Sequence, residues 1–205
     1  MVRTVAYKGS AVEVSKVVCI GRNYVEHIAE LGNEIPENMV VFNKPNSAIC
    51  DRLYYFSPEC RFEGEICFMI EKGAISGIGF GLDLTHADIQ NRLKKKGLPW
   101  ERAKAFDGSA VLSDFVPLED PLEDLEMKLY INGELQQFAT YELMMYKPAA
   151  MIDEIKSFMT LEDGDIIMSG TPKGVATYSV GDRFSGQIFA GEKCLLEVEW
   201  VAEQG

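Results

Sequence analysis

The sequence predicts an α+β fold built on a curved or barrel-like sheet. Strand-like segments lie at both ends of the chain, and three short helical segments are inserted between them. The chain has no internal repeat, no low-complexity segment and no Pro/Ser-rich linker that would divide it. A chain of 205 residues with this organisation is expected to form one domain over residues 1–205.

The first half of the chain combines strands with two helices. Residues 1–20 are apolar in alternation or in runs, as strands are, and residues 24–31 carry apolar side chains at helical spacing. The clearest helix opens at Thr85, which we expect to be its N-cap, with Asp88 three residues later as in a capping box. The remaining predictions here are strands at 39–42 and 62–70 and a helix-free, glycine-rich crossing at 73–81.

The second half is dominated by strands. The pair Asn132-Gly133 between two apolar segments indicates a β-hairpin, because these two residue types tolerate the positive φ angles of a type I′ turn. Residues 149–159 form an amphipathic helix with one apolar stripe. Further strands are predicted at 165–170, 185–190 and 194–201.

The composition excludes several classes of protein. With 20 Lys and Arg against 32 Asp and Glu, the net charge of −12 argues against nucleic-acid binding by bulk charge. No apolar run approaches the roughly 18 residues that span a bilayer, and no apolar stretch follows Arg3 and Lys8, so a cytoplasmic protein is expected. The five cysteines fit neither a disulfide framework nor a zinc ribbon; they are Cys19, Cys50, Cys60, Cys67 and Cys194.

Three carboxylates are the strongest candidates for a metal site. Glu63 and Glu65 are two residues apart in a strand-like run, so both side chains should emerge on one face. A solvated acidic face of an ordinary strand explains these two equally well. Asp83, however, lies in an apolar stretch, where a buried aspartate is costly unless it is paired or binds a metal. Three oxygen ligands completed by water suit Mg²⁺ or Mn²⁺.

The two histidines are the first candidates for a general base. His27 precedes Glu30 by three residues on a predicted helix, so Glu30 could orient the imidazole. A surface histidine beside a surface glutamate is the simpler explanation of this pair, and His86 is explained as a solvent-facing residue of the helix cap. The loop 169–174 lacks the spacing of a P-loop, but its Thr171 hydroxyl and backbone N–H groups could bind a substrate carboxylate.

Seven motifs run through nearly the whole chain: IGRNYVEHIAELG (20–32), FNKPNSAI (42–49), FEGE (62–65), GLDLTHADIQ (81–90), KGLPWERAKAFDGSAVLS (96–113), NGELQQ (132–137) and MSGTPKGV (168–175). Together they resemble the fumarylacetoacetate hydrolase family, and most closely its small single-domain acylpyruvase and oxaloacetate decarboxylase branch. The resemblance implies a mixed β-sandwich roll of the type formed by the family's C-terminal domain, with a few short helices, in a homodimer.

The resemblance also implies a set of site residues. Glu63, Glu65 and Asp83 match the family's three metal carboxylates, which hold Mg²⁺ or Mn²⁺. His27 and Glu30 match a dyad that activates water, on a segment that acts as a lid. The remaining matches are Lys104 beside the metal, and Arg22, Lys44, Gln90 and Thr171 near the substrate.

Two departures from the family pattern stand out. Most relatives have an arginine just before the aspartate that here is Asp88, whereas this chain has Ala87 and so lacks that cation. The interval from Glu65 to Asp83 is also shorter than in most relatives, where a helix commonly lies, so the segment 73–81 must cross directly. Neither departure removes a metal ligand.

The implied activity is metal-dependent cleavage of a C–C bond in a small 2-oxo acid, by acylpyruvate hydrolysis, oxaloacetate decarboxylation or both. In hydrolysis, His27 assisted by Glu30 would deprotonate the attacking water, and Lys104 would counter the charge of the oxyanion. Decarboxylation passes through the same enolate without an attacking water. The alternatives are an isomerase or decarboxylase of an aromatic-degradation dicarboxylic acid, and a non-catalytic metal-binding member of the fold.

Overall fold

The structure is a computed structural model that describes residues 3–30 and 36–205, with the backbone alone described for residues 27–29. The helices are α1 Val25–Glu30, α2 Ala87–Lys95, α3 Glu101–Lys104 and α4 Pro148–Phe158, with short 3₁₀ helices at Asn46–Ala48, Leu122–Asp124 and Tyr141–Leu143. The strands are β1 Thr4–Tyr7, β2 Ser10–Glu13, β3 Lys16–Gly21, β4 Val40–Pro45, β5 Ile49–Cys50, β6 Tyr54–Tyr55, β7 Cys60–Phe62, β8 Gly64–Glu71, β9 Ala74–Asp83, β10 Thr85–His86, β11 Ala110–Leu112, β12 Val116–Pro117, β13 Leu125–Ile131, β14 Glu134–Thr140, β15 Ile166–Met168, β16 Ala176–Thr177, β17 Arg183–Ala190, β18 Lys193–Val201 and β19 Glu203–Gln204.

Two large sheets form the body of the fold. The larger one is mixed and runs in the order β4-β3-β15-β8-β9-β11-β5, with β12 added beside β9. The smaller one is antiparallel in the order β14-β13-β17-β18. The two sheets share one apolar core, in which Phe80 of β9 packs against Trp200 of β18. This architecture confirms the predicted α+β fold with a curved mixed sheet.

The central strand β8 is buried on both faces, and this explains its sequence. Ile66 and Phe68 point into the core between the two sheets, whereas Cys67 and Met69 point into a second core with Val5 and other residues of the N-terminal strands. Because neither face contacts water, the buried residues of this strand form a nearly continuous apolar run and do not alternate with polar residues. A charged residue in the buried part of β8, such as Glu65, therefore has no route to bulk water along the strand.

The glycine-rich segment forms β9, which returns directly from β8 as a hairpin. Lys72 and Gly73 both have positive φ, as the type I′ turn of a two-residue hairpin requires. The predicted hairpin at Asn132-Gly133 is confirmed by the same geometry between β13 and β14. The direct crossing expected from the short interval between Glu65 and Asp83 is confirmed as well.

The predicted helix cap at Thr85 is wrong. Thr85 lies in β10, opposite Arg61 of β7, and α2 begins two residues later with His86 in the N-cap position and no side-chain cap. The Thr85 hydroxyl instead donates to Glu63 Oε1 at 2.9 Å, so it is committed to a neighbouring strand rather than to the helix. His86 is half-buried, with its ring 4.2 Å from that of Phe106.

Within the described ranges, no helix is long and apolar enough to cross a membrane.

Alternate glycines of β9 allow the second core to close against the strand. A Cβ added at Gly79 would lie 2.8 Å from the Phe115 ring, and one at Gly81 would lie 2.6 Å from Cys67 Sγ. Both distances are below any ordinary carbon contact, so these positions accept no side chain unless their neighbours move. The glycine pattern is therefore a packing requirement of the sheet that carries Asp83.

We expect Gly79→Ala to destabilise the fold by roughly 1–3 kcal/mol, the usual cost of forcing one extra methyl group into a packed core. Urea unfolding would measure the loss. The matched control is the same substitution in a Phe115→Leu background, where the ring is absent and the added cost should be smaller. An equal cost in both backgrounds would show that contact with Phe115 does not set the requirement for glycine.

Candidate functional site

Three carboxylates meet where β8 begins and β9 ends. Glu63 lies in the break between β7 and β8, Glu65 is the second residue of β8, and Asp83 is the last residue of β9. The hydrogen bond from Asp83 N to Glu63 O, 2.8 Å long, fixes the two strand ends side by side. One oxygen from each carboxylate lies within 4.8 Å of the others. We call these three residues the carboxylate cluster.

Glu65 is the one carboxylate of the cluster that has no ion pair with a lysine or arginine of the described residues. Its side chain is buried and accepts a 2.7 Å hydrogen bond from the backbone N–H of Gly170. Gly170 has a φ of +97°, a conformation that favours glycine, and this turn aims its N–H at the carboxylate. Burial, together with the nearby charges of Asp83 and Glu63, raises the pKa of Glu65 well above its usual range. A cation at the cluster would counter the repulsion from Asp83 and Glu63 and so favour the charged form of Glu65.

Asp83 lies between two lysines. Lys104 Nζ donates to Asp83 Oδ2 at 2.7 Å, and Lys44 Nζ forms an ion pair with Asp83 Oδ1 at 2.8 Å. The Lys44 contact does not have the geometry of a hydrogen bond, so Oδ1 is buried without a hydrogen-bond donor. Lys44 is itself fully buried and donates to the backbone carbonyl of Lys104. The structure therefore places Lys44 behind Asp83, away from the cavity in which Lys104 lies.

Lys104 is the centre of the hydrogen-bond network. Besides Asp83, its ammonium contacts Glu63 Oε2 at 2.9 Å and Thr85 Oγ1 at 2.6 Å. Burial alone would lower the pKa of Lys104, but the charges of Asp83 and Glu63 outweigh it and raise that pKa above its usual range. Lys104 is therefore a permanent cation at the edge of the cluster.

Thr85 and Gln137 are site residues that the sequence reasoning missed. Thr85 accepts from Lys104 and donates to Glu63, so its hydroxyl links the cation to the cluster. Gln137 accepts from Gly64 N at 2.8 Å and donates to Thr171 Oγ1 at 2.8 Å, while that hydroxyl donates to Gly64 O at 2.9 Å. This closed ring ties the start of β8, between Glu63 and Glu65, to the loop that holds Thr171.

The motifs contained a partial signal for both residues. Thr85 directly follows the aspartate motif and Gln137 ends NGELQQ, but a helix cap and an exposed hairpin strand explained them equally well. Only the three-dimensional arrangement shows that the Gln137 amide is buried beneath the 169–174 loop.

A small cavity of about 40 Å³ opens onto the cluster. The predicted residues that line it are Arg22, Gln90, Thr171 and Lys104 together with the three carboxylates. Phe42 and Trp100 form its apolar wall, and Lys94 of α2 also lines it. The structure thus brings together every predicted site residue whose side chain is described, except Lys44 and Glu30.

Glu30 lies at the side of a neighbouring chamber. Its carboxylate accepts the backbone N–H of Gly174 at 3.1 and 3.2 Å, so the end of α1 is attached to the loop that contains Thr171. The predicted partner, His27, lies on α1, but its side chain is outside the described part of the structure. The His27–Glu30 dyad therefore stays a prediction.

The donor set fits a hard divalent cation. Three carboxylates converge at metal-ligand spacing, and Asp83 Oδ1 is buried without a hydrogen-bond donor. Within the described residues, Glu65 has a backbone N–H as its hydrogen-bond donor and no lysine or arginine in ion-pair contact. Oxygen-only ligands suit Mg²⁺ or Mn²⁺ and do not suit soft metals. Glu63, Glu65 and Asp83 could hold such an ion.

Comparison with known proteins gives a consistent result. Residues 16–200 match the family described as fumarylacetoacetate (FAA) hydrolase C-terminal. The chain is 39% identical to an oxaloacetate tautomerase of Escherichia coli (strain K12), covering 84% of this chain and 87% of the relative. It is 34% identical to a mitochondrial oxaloacetate tautomerase of Bos taurus, covering 92% of this chain and 91% of the relative.

A solved structure also superimposes closely. The fumarylpyruvate hydrolase of Pseudomonas aeruginosa, in complex with Mn²⁺ and pyruvate, matches with a TM-score of 0.89 and 27% identity, covering all of this chain and 97% of that one. That enzyme holds a divalent metal and a small 2-oxo acid, and it shares this fold.

We expect millimolar Mg²⁺ or Mn²⁺ to raise the melting temperature of the protein. A cation that binds only the folded state stabilises by mass action, by about 2.7 kcal/mol at a hundred times its Kd. Glu65→Gln, Glu63→Ala and Asp83→Ala should each abolish this gain, because each removes one anionic oxygen ligand.

Glu71→Gln is the matched control, since Glu71 lies on the same strand but is exposed and pairs with Lys8. It should keep the full stabilisation by metal. A melting curve of the unmodified protein that does not respond to either cation would refute the metal site.

Proposed function

Because the chain belongs to the fumarylacetoacetate hydrolase family, we propose that it is a metal-dependent enzyme that forms the enolate of a small 2-oxo acid. Its best-supported reaction is the keto–enol tautomerisation of oxaloacetate. The observation that carries the proposal is the convergence of the carboxylate cluster and the Lys104 ammonium on one small cavity. The similarity to oxaloacetate tautomerases over most of the chain supports the choice of substrate.

Glu63, Glu65 and Asp83 would hold the divalent cation. When bound, it would supply Lewis-acid chemistry, withdrawing electron density from a 2-oxo acid as its enolate forms. Lys104 adds a fixed positive charge at the same place, because its ammonium is held by Glu63, Asp83 and Thr85. A preorganised cation that needs no reorientation stabilises developing negative charge at little cost.

Tautomerisation moves one proton. The C3–H bond breaks, its electron pair becomes the C2–C3 double bond, and the carbonyl oxygen gains a proton to give the enol. We assign the removal of the proton from C3 to His27, with Glu30 orienting the imidazole. This assignment rests on the family resemblance. The attachment of Glu30 to Gly174 supports it, because that contact holds α1 beside the loop that lines the cavity.

The substrate would lie against Arg22, Gln90 and Thr171, which line the cavity. Lys44 acts through Asp83 as a positioning residue, since its ammonium is buried behind that carboxylate. A homodimer and a cytoplasmic location stay expectations from the resemblance and the sequence.

Cleavage of a C–C bond is the second candidate. The similarity to a fumarylpyruvate hydrolase favours it, because that enzyme's structure contains pyruvate, a 2-oxo acid of the kind that such cleavage releases. Acylpyruvate hydrolysis and oxaloacetate decarboxylation both pass through a pyruvate enolate, which is the same kind of species that tautomerisation requires. One site can therefore serve these reactions at different rates.

The decisive experiment follows the decay of enol-oxaloacetate by ultraviolet absorbance. The enzyme is assayed once with Mg²⁺ and once with EDTA, and Mg²⁺ without enzyme is the control. We expect enzyme-dependent tautomerisation that EDTA abolishes, and parallel assays of pyruvate release from oxaloacetate and acetylpyruvate measure C–C cleavage. Asp83→Asn should lose all these activities, whereas Asp88→Asn, an exposed residue paired with Arg92, should keep them.

Absence of metal-dependent turnover of both substrates would refute the proposal and favour a non-catalytic metal-binding protein. Turnover of larger aromatic-degradation diacids alone would favour the isomerase alternative.

We expect His27→Ala to separate the reactions that need a base from the one that does not. Tautomerisation and acylpyruvate hydrolysis should fall by roughly 10²–10⁴-fold, because each requires proton removal. The rate of oxaloacetate decarboxylation should fall far less. There the electron pair of the enolate comes from the C–C bond to the departing CO₂, so no proton has to be removed. Glu30→Gln should follow the same pattern more weakly.

Oxalate affinity must be unchanged in both variants, which shows that the remainder of the site is intact. Equal losses in all three reactions would show that His27 is not the base.

A further inference from the structure

A second chamber, of about 620 Å³, lies beside the small cavity and shares Glu63, Gln90 and Lys94 with it. We call it the polar chamber. Polar groups dominate its wall, which includes Arg61, Thr85, Gln90, Asn91 and Lys94. A substrate whose head lies at the carboxylate cluster could extend into this space.

One face of α2 forms a wall of the polar chamber. Ala87, Gln90, Asn91 and Lys94 line it, and their spacing of three, four and seven residues places them on one side of the helix. Ala87 contributes only a methyl group, so space remains between this wall and the strands opposite. Lys94 lies one turn after Gln90, which lines the small cavity as well.

Arg61 comes from the opposite wall. It lies directly across from Thr85 in the pairing of β7 with β10, and side chains of directly paired residues project to the same face of a sheet. Thr85 contacts both Lys104 and Glu63, so the Arg61 side chain starts one strand away from the carboxylate cluster. Its guanidinium forms no ion pair with any carboxylate of the described residues.

The polar chamber therefore contains two cations that form no ion pair with the carboxylates of the described residues. Lys94 also has no carboxylate in ion-pair contact among the described residues; its contact is the ring of Trp100, 5.1 Å away. Of the acidic groups in the chamber, Glu63 is engaged with Lys104 and Glu30 with the Gly174 N–H. Burial, with Arg22 and Lys104 nearby, lowers the pKa of Lys94 to about 8. Such repulsion among cations is relieved by a bound anion.

We propose that Arg61 and Lys94 bind the second carboxylate of a dicarboxylic 2-oxo acid whose 2-oxo acid end lies at the carboxylate cluster. The inference rests on the proposed function, whose substrate oxaloacetate has two carboxylates, and adds the residues that select dicarboxylic over monocarboxylic acids. An arginine can bind a carboxylate through two parallel hydrogen bonds, and charge-assisted hydrogen bonds are about twice as strong as neutral ones. Selectivity would come from charge at the far end of the substrate.

The test compares the affinities of L-malate and L-lactate for the Mg²⁺-loaded protein by calorimetry. Both probes carry a 2-hydroxy acid head, but only malate has a second carboxylate. We expect malate to bind at least tenfold more tightly than lactate. Lys94→Met and Arg61→Gln should each reduce that ratio by about tenfold, the usual effect of losing one charge-assisted hydrogen bond. Arg61→Gln should leave the affinities for lactate and oxalate unchanged, because Arg61 does not line the small cavity.

Two controls make the result specific. Lys95→Met removes an exposed lysine next to Lys94 that does not line the chamber, so it should keep the ratio. Arg61→Lys keeps the cation and should retain more of the ratio than Arg61→Gln does, which also provides a folded variant if the glutamine fails to fold.

Equal affinities of malate and lactate in the unmodified protein would overturn the inference. A ratio that survives in Lys94→Met and Arg61→Gln, with oxalate affinity intact, would overturn it too, and both results leave the proposed function standing. Failure of the unmodified protein to bind oxalate with Mg²⁺ would instead overturn the proposed function, and the inference with it.

Discussion

Burial of three carboxylates at the ends of two paired strands is the constraint on which the site depends. Each ion removed from water costs several kcal/mol unless it is paired or hydrogen-bonded. Asp83 has two lysines for this purpose, whereas Glu65 has only a backbone N–H as a direct partner among the described residues. The buried charge of Glu65, which no lysine or arginine of the described residues pairs with, is what a divalent cation would neutralise. Burial, together with the nearby charges of Asp83 and Glu63, is also what raises the pKa of Glu65.

The surrounding architecture keeps these charges from relaxing apart. Strand β8 is buried on both faces, and β9 can lie flat beside it because alternate glycines accept the Phe115 ring and the Cys67 sulfur. The ring of hydrogen bonds through Gln137 then ties β8 to the loop that places the Gly170 N–H against Glu65. Side chains held from both directions cannot turn outward to water. The cluster therefore keeps its geometry before any ligand arrives, which lowers the cost of binding one.

Sequence reasoning recovered the fold class, the hairpin at Asn132-Gly133 and the cluster of carboxylates, because each leaves a local pattern. The alternation of apolar and polar residues, an Asn-Gly turn and the spacing of two glutamates can each be recognised within a few residues of sequence. The sequence could not show that the Thr85 hydroxyl bonds to a strand instead of capping a helix, since Glu63 is distant in sequence and near only in the fold. The family resemblance placed Lys44 near the substrate, whereas the structure buries it behind Asp83. Contacts between distant segments are what a local pattern lacks.

The distribution of charge explains how an acidic chain can select an anion. The chain carries a net charge of −12, which on its own repels dicarboxylates. At the site, however, cations are concentrated beside the carboxylate cluster, and a bound divalent ion would add two further positive charges. The family resemblance indicated a missing arginine at Ala87, yet the polar chamber that Ala87 lines also receives Arg61 from a strand and Lys94 from the same helix. Residues at different sequence positions can place a cation at the same point of a site, because the attraction depends on the distance between the charges. The loss at position 87 and the positions of Arg61 and Lys94 are thus compatible with one function, the recognition of a second carboxylate.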